Sequence, residues 1–310
     1  MMASAADAGA ITVTAPAKIN LTLHVCGRRA DNYHLLDSLV VFAGIGDRIT
    51  ASSAEQIGLA VTGPFGAALS GEPDNLVLRA ARLLAITHRL KAGAAIALEK
   101  NLPVASGIGG GSADAAATLI ACGRLWNVDS LALSDSEIAA ALGADVPVCL
   151  RGVPAYMSGI GEIIHPAPAL PEAWLVLVNP GEPLATKAVF GALQERFSAP
   201  MGRHAFANLD GAPALAKALK LYGNDLMAPA VELLPAVRSV IEALEQTPGC
   251  LLARLSGSGP TCFGLFADAV TAYAAARHIA AHRPAWWSVA APVLKNLGKS
   301  RRAGVQPSDL

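Results

Sequence analysis

From residue 11 the chain alternates apolar and polar side chains with a period of two, a pattern that predicts strands at its start. Residues 11–15 and 18–25 read as two such stretches broken by Pro16. In the second, Ile19, Leu21, Leu23 and Val25 fall on one face and Lys18, Asn20, Thr22 and His24 on the other, so Lys18 and Asn20 point the same way. A polar turn over 27–34 follows, in which Asp31 and Asn32 supply turn chemistry and Asn32 tolerates a left-handed backbone. Residues 35–43 return as an apolar strand, with 47–51 and 57–61 as shorter ones.

The period then changes to that of a helix over 75–90, where Leu76, Leu83, Leu84, Ile86 and Leu90 contribute most of the apolar surface and Asp74 or Asn75 supplies the cap. A strand over 94–100 feeds a glycine-rich turn, and a helix over 113–126 leaves it. Ser134-Asp-Ser-Glu137 reads as the capping box of a short helix that Gly143 ends. Residues 145–150 and 155–165 read as extended. Pro166, Pro168 and Pro171 then interrupt any regular element and mark a boundary near residue 165. Beyond it the pattern predicts a buried strand over 174–178 and helices over 185–196, 213–221 and 231–246, with Pro213 as a first helical residue. Strands over 251–255 and 261–267, a helix over 269–282 and a last strand over 286–293 complete it. The sum is an α+β chain of two domains, 11–165 and 166–295, with a cleft between them. A disordered start (1–10) and a basic, frayed tail (296–310) flank them.

At 310 residues the chain is long enough for two domains and a sizeable core. A formal net charge of zero provides no footprint for nucleic acid or an anionic membrane surface. The apolar share is 53%, but Gly, Pro and charged residues interrupt every run of about twenty, so no membrane span is expected. The first ten residues lack the basic start of a secretory signal. Five scattered cysteines without a Cys-x-x-Cys pair read as reduced thiols of a cytoplasmic protein. His278 and His282 share a helix face but have no third ligand, so no metal site is expected there.

Chemistry concentrates in Pro103-Val-Ala-Ser-Gly-Ile-Gly-Gly-Gly-Ser-Ala113. Gly107, Gly109, Gly110 and Gly111 gather unhindered backbone N–H groups where Ser112 and Asp114 can cap the following helix, which makes an anion site. A Walker loop would end in Gly-Lys-Ser/Thr, and Gly111-Ser112-Ala113 lacks the lysine. A dinucleotide fingerprint would need an acidic residue about twenty positions on; Asp129 and Asp135 stand near that distance, but residues 125–129 look like a helix end. A second glycine cluster, Ser256-Gly-Ser-Gly259, reads on its own as a hairpin turn.

The first cluster resembles the ATP loop of the GHMP kinases, Pro-x-x-x-Gly-Leu-Gly-x-x-Ser-x-x-Ala, with Ile108 in place of Leu. Pro16-Ala-Lys-Ile-Asn-Leu21 resembles that family's first motif and residues 255–263 its third, in the right order across nearly the whole chain. Between them, Arg29-Ala-Asp-Asn-Tyr-His34, Lys100, Gly143-Ala-Asp-Val-Pro147 and Asn224-Asp225 are similar to the branch that phosphorylates 4-diphosphocytidyl-2-C-methyl-D-erythritol. That branch usually has Gly where Asn32 stands, and Ala105 and Ser106 replace glycines of some relatives.

The resemblance implies a two-domain GHMP kinase fold with its active site in the interdomain cleft, and a kinase that uses ATP and Mg²⁺. Asp145 is implied as the base and Lys18 as the cation beside it; taken bare, the one reads as a turn or cap residue and the other as a solvated lysine. The same resemblance assigns Asn20 and Thr186 to the methylerythritol portion, and Tyr33, His34 and Phe190 to cytidine, although Phe190 alone also reads as helix packing. Gly257 and Gly259 would close over the substrate phosphates. ATP would lie along Pro103, Val104, Ala105, Ser106, Gly107, Ile108, Gly109, Gly110, Gly111, Ser112 and Ala113, with Asn75 and Lys100 near the adenosine. Ser112 would stand near the magnesium, itself held mainly by phosphates and water without a carboxylate cage. The partner is thus a small molecule, with no nucleic acid or membrane, for a monomer or weak homodimer. A homoserine or phosphomevalonate kinase should lack the Tyr33-His34 turn, and a non-catalytic nucleotide sensor should lack Asp145 or Lys18.

Overall fold

The computed structural model describes residues 9–297 except 70, 72, 73, 129–136 and 195. Asp129, Asp135 and the Ser134 end of the capping box lie outside the described residues, as do residues 1–8 and 298–310 of the terminal segments.

Strand β1 (Ile11–Asn20) runs through Pro16 instead of stopping there. Its ladder shifts register between Pro16 and Lys18, and this bulge accommodates a residue that has no N–H to donate. After β2 (His24–Arg28), strand β3 (His34–Ala54) is one 21-residue element where the pattern predicts two. It is the spine of the sheet. One edge carries β1 and β2; the other carries, in succession, β6 (Ala155–Gly159), β11 (Trp287–Leu294) and β5 (Gly93–Glu99). Residues 43–46 blur the alternation because the chain crosses β1 so closely that a Cβ on Gly46 would lie 2.2 Å from the carbonyl oxygen of Ala15. Pairing on both edges keeps the strand going through them.

Strand β4 (Gly58–Thr62) pairs in parallel with β5. Helix α1 (Leu76–Thr87) starts at Asn75, whose Oδ1 accepts the Val77 N–H at 2.9 Å. Its buried face is Val77, Ala80, Ala81, Leu84 and Ala85, whereas Ile86, part of the apolar surface that the pattern assigns to this helix, is 72% exposed. Helix α2 (Gly110–Leu125) is buried from Ala113 to Gly123, between the sheet and its neighbouring helices. Its alanines let backbones approach on every side, which is why it shows no polar stripe.

Helices α3 (Glu137–Leu142) and α4 (Val146–Arg151) follow. The second corrects the extended reading of 145–150. Pro147 sits in its first turn, where a missing N–H costs nothing, and a short apolar run does not by itself separate buried helix from buried strand. β6 and β7 (Ile163–Pro166) form a hairpin.

In the second half, β8 (Trp174–Asn179) pairs with β10 (Cys262–Phe266), which pairs in turn with β9 (Leu252–Leu255). Helix α5 (Thr186–Gly191) is shorter than predicted, and α6 (Gly211–Leu219) begins two residues before Pro213. The helix expected over 231–246 is two, α7 (Met227–Leu233) and α8 (Ala236–Glu245), because Pro235 drives Leu234 out of helical backbone. Helix α9 (Ala269–His282) is capped by Asp268, which accepts the Thr271 N–H. β11 pairs with β8 and then, through Val293 and Leu294, with β3, so the two halves build one sheet in the order β4-β5-β3-β11-β8-β10-β9. Leu297, which the sequence assigns to a frayed tail, is buried and donates its N–H to the carbonyl of Gly152.

Gly46→Ala sets a methyl group against the Ala15 carbonyl at the β1/β3 crossing. It should lower the free energy of unfolding by about 3 kcal/mol, measured by urea denaturation.

Candidate active site

Three chain segments meet in a cleft of about 450 Å³: β1, the first glycine loop with the start of α2, and the second glycine loop between β9 and β10. They are tied by hydrogen bonds that involve backbone. Lys18 donates its N–H to the Ile108 carbonyl at 2.9 Å, and Thr261 donates to the Ser106 carbonyl at 3.1 Å. Ser256 Oγ accepts the Asn20 N–H at 3.2 Å and donates to the Gly107 carbonyl at 3.1 Å. A Cβ on Gly107 would stand 2.6 Å from the Ser256 carbonyl oxygen, and one on Gly257 would stand 2.8 Å from the Gly107 carbonyl oxygen. These two glycines therefore serve the contact between the loops.

Neither Ser112 nor Asp114 caps α2. Its cap is Gly109, in left-handed backbone with φ 65°, and no side chain closes the helix start. Gly110, Gly111 and Ser112 line the cleft there, so the leading backbone donors of α2 are directed at it. Ala105 is held at φ 50°, and Asn32 at φ 71°, the left-handed turn that the sequence predicts.

Lys18 is buried and its Nζ lies 3.0 Å from Asp145 Oδ2, which reaches in from the residue before α4 with a third of its side chain exposed. The same ammonium donates to Asn20 Oδ1 at 2.8 Å. Asn20 is oriented in turn by Ser38, whose Oγ accepts its amide at 2.7 Å and donates to the Thr22 carbonyl. Nothing in the pattern singles out Ser38, which with Asp37 is one of two polar residues in an otherwise apolar stretch over 35–43. Across the cleft Thr186 and Ser258 pair through their hydroxyls at 2.8 Å.

Lys100 reaches the cleft but its charge is engaged: Nζ lies 2.5 Å from Asp47 and 2.6 Å from Asp114. Burial alone would weaken its hold on its proton, yet Asp114 and Asp47 more than offset this and hold the ammonium above its usual range. Burial, opposed by Lys100 and reinforced by Asp47, pushes the Asp114 carboxyl up to about 8. Its second oxygen is buried without a hydrogen-bond partner among the described residues.

Of the other predicted site residues, Asn75, Pro103, Val104, Ala105, Ser106, Gly107, Gly109, Thr186, Phe190 and Gly257 line the cleft. Ile108 and Ala113 are buried in the core, and Gly259 is packed against Leu255. Phe190 also borders a second cavity of about 420 Å³ with Arg28, Asn32, His34 and Lys187. The rings of His34 and Phe190 stack with centroids 5.0 Å apart. Burial and the neighbouring Arg28 lower the pKa of His34, favouring its neutral form. Tyr33 is 59% exposed and lines neither cavity. Among the described residues no group of three His, Cys, Asp or Glu side chains could hold a metal, no disulfide forms, and no helix is long and apolar enough to cross a membrane.

The chain belongs to a family of small-molecule kinases, the GHMP kinases. Residues 75–153 match the GHMP kinases N terminal domain and residues 205–285 the GHMP kinases C terminal. Within it, the chain is similar to proteins named 4-diphosphocytidyl-2-C-methyl-D-erythritol kinase. It is 53% identical to that of Paramagnetospirillum magneticum over 285 residues, covering 91% of this chain and 98% of the relative. It is 55% identical to that of Parvibaculum lavamentivorans over 286 residues, covering 90% and 97%. A crystal structure of 4-(cytidine 5'-diphospho)-2C-methyl-D-erythritol kinase superimposes with a TM-score of 0.75 at 33% identity, covering 92% of this chain and all of that one. Homoserine kinase from Cytophaga hutchinsonii shares the fold, with a TM-score of 0.66 at 17% identity over 96% and 98% of the two chains.

The left-handed backbone at Ala105 costs roughly 1–2 kcal/mol for a residue with a Cβ, against about 0.5–1 kcal/mol of extra chain entropy for glycine. Ala105→Gly should therefore raise stability by about 0.5 kcal/mol, read as a small upward shift of the thermal midpoint.

Proposed function

We propose that this chain transfers the γ-phosphoryl group of ATP to the 2-hydroxyl of 4-diphosphocytidyl-2-C-methyl-D-erythritol, in the non-mevalonate route to isoprenoid precursors. The observation that carries the reading is the Lys18–Asp145 pair at 3.0 Å, lining the cleft beside Gly109 at the start of α2. The substrate is inferred from the relatives' names together with the His34–Phe190 stack beside that cleft.

In this reading Asp145 accepts the proton of the 2-hydroxyl as its oxygen bonds to the γ-phosphorus, and the bond to the bridging oxygen of ADP breaks. Lys18, braced by Asn20 and Ser38, holds the carboxylate and the hydroxyl in line and offsets the developing negative charge. The leading N–H groups of α2 would take the phosphates of ATP, because a helix start presents unpaired donors and about half a positive charge. Mg²⁺ fits this site as a companion of the nucleotide: Ser112 is the side chain beside the helix start, and the remaining ligands would be phosphate and water. When bound, it supplies charge neutralisation to the phosphates. Neutral His34 and the Phe190 ring would take cytidine, one by hydrogen bonds and the other by stacking. The two-lobed division near residue 165, a cytoplasmic location and a monomer or weak homodimer belong to the same proposal.

A substrate panel with ATP tests the whole reading: only the cytidyl diphosphate should be phosphorylated, and turnover of homoserine or phosphomevalonate instead would overturn it. Asp145→Asn should lower kcat by about a hundred-fold or more while the calorimetric affinity for ATP is nearly unchanged. Phe190→Ala should raise KM for the cytidyl substrate about ten- to a hundred-fold, the equivalent of one stacked base, and leave KM for ATP alone.

A further inference from the structure

Three elements meet at one buried ammonium beneath the first glycine loop. Lys100 leaves β5 and places Nζ 2.5 Å from Asp47 Oδ2 on β3 and 2.6 Å from Asp114 Oδ2 on α2. The other oxygen of Asp47 accepts the backbone N–H groups of Asn101 at 2.6 Å and Leu102 at 2.8 Å, the two residues that lead from β5 into the loop. Asp47 is fully buried, so each of these bonds replaces water that the carboxylate lost on folding. The ammonium stands directly behind the start of α2: a Cβ on Gly110 would lie 3.2 Å from Nζ and 3.8 Å from Asp47 Oδ2.

The Asp47 carboxylate already balances the ammonium, so the cluster offers no surplus positive charge to a nucleotide whether or not Asp114 is ionised. Its contribution is geometric. It fixes the entry of the loop, through Asn101 and Leu102, to the helix that the loop leads into, through Asp114. A loop already held in its binding arrangement loses less conformational freedom when a ligand arrives.

We propose that Asp47, acting through Lys100 and Asp114, is a positioning residue for ATP that pre-organises the first glycine loop and the start of α2. The proposal rests on the reading of residues 103–113 as the ATP loop. Asp47→Asn retains an oxygen for the Asn101 and Leu102 N–H groups but turns an amide donor toward Lys100.

The full chain with this substitution should bind ATP about ten-fold more weakly by calorimetry without acceptor, and KM for ATP should rise by a similar factor, while kcat and KM for the cytidyl substrate change less than about two-fold. Asp114→Asn should do the same, and because both act through one ammonium the double variant should fall short of the product of the single effects. A merely structural role would lower the thermal midpoint and raise both Michaelis constants together. That result, or unchanged ATP affinity in folded Asp47→Asn, overturns the proposal. If Asp47→Asn does not fold, Asp114→Asn is judged by the same criteria. Failure of the wild-type chain to phosphorylate the cytidyl substrate while it still binds ATP would remove the functional reading and leave this one to be decided on ATP affinity alone.

Discussion

The site depends on one contact, the interlock of the two glycine loops. Ser256 Oγ joins the Gly107 carbonyl to the Asn20 N–H, and the backbones at Gly107 and Gly257 approach so closely that neither position has room for a Cβ. Lys18 is added to the same knot by its N–H to the Ile108 carbonyl. A shift in any of the three segments would therefore move the lysine–aspartate pair relative to the start of α2. Rigid support of this kind lets a small reactive constellation hold its geometry without help from long side chains.

Around that knot the chain buries polar groups in two connected sets. Lys18, Asn20, Ser38 and Thr22 form one chain of donors and acceptors, and Asp47, Lys100 and Asp114 form another. Burying a charge without a partner is costly, and in each set the buried ammonium is met by oxygen acceptors: Asn20 and Asp145 for Lys18, Asp47 and Asp114 for Lys100. The two sets lie on opposite sides of the glycine loop: a Cβ on Gly109 would meet Lys18, and one on Gly110 would meet Lys100. Glycine at those positions thus admits two lysine side chains, in addition to leaving the backbone open toward the cleft.

Much of the fold was legible because its elements are locally determined. The helix over 269–282 was read to the residue, since Asp268 caps it and alanines carry its period. The left-handed turn at Asn32 followed from its residue type alone. Lys18 and Asn20 share a face in the structure as the alternation required, and Asp145 does reach Lys18. The misses have a common cause. Pro16 was read as a strand break and residues 145–150 as a strand, because local pattern does not reveal a bulge in a ladder or the walls that bury a short apolar run.

What the sequence determined by itself was the set of short-range choices: which residues cap, turn, alternate and bring backbone donors together at a helix start. Those choices are governed by forces within a few residues, and they sufficed to identify the glycine loop and the family whose motifs it carries. Tertiary structure alone decided which polar residues are committed to each other. Asp47 and Asp114 lie 53 and 14 residues from Lys100, yet they determine that its ammonium is a tie within the scaffold. It also decided that Tyr33 stays at the surface while His34 stacks on Phe190. Pairings of that kind depend on which strands become neighbours, and neighbours are chosen by burial of the whole sheet.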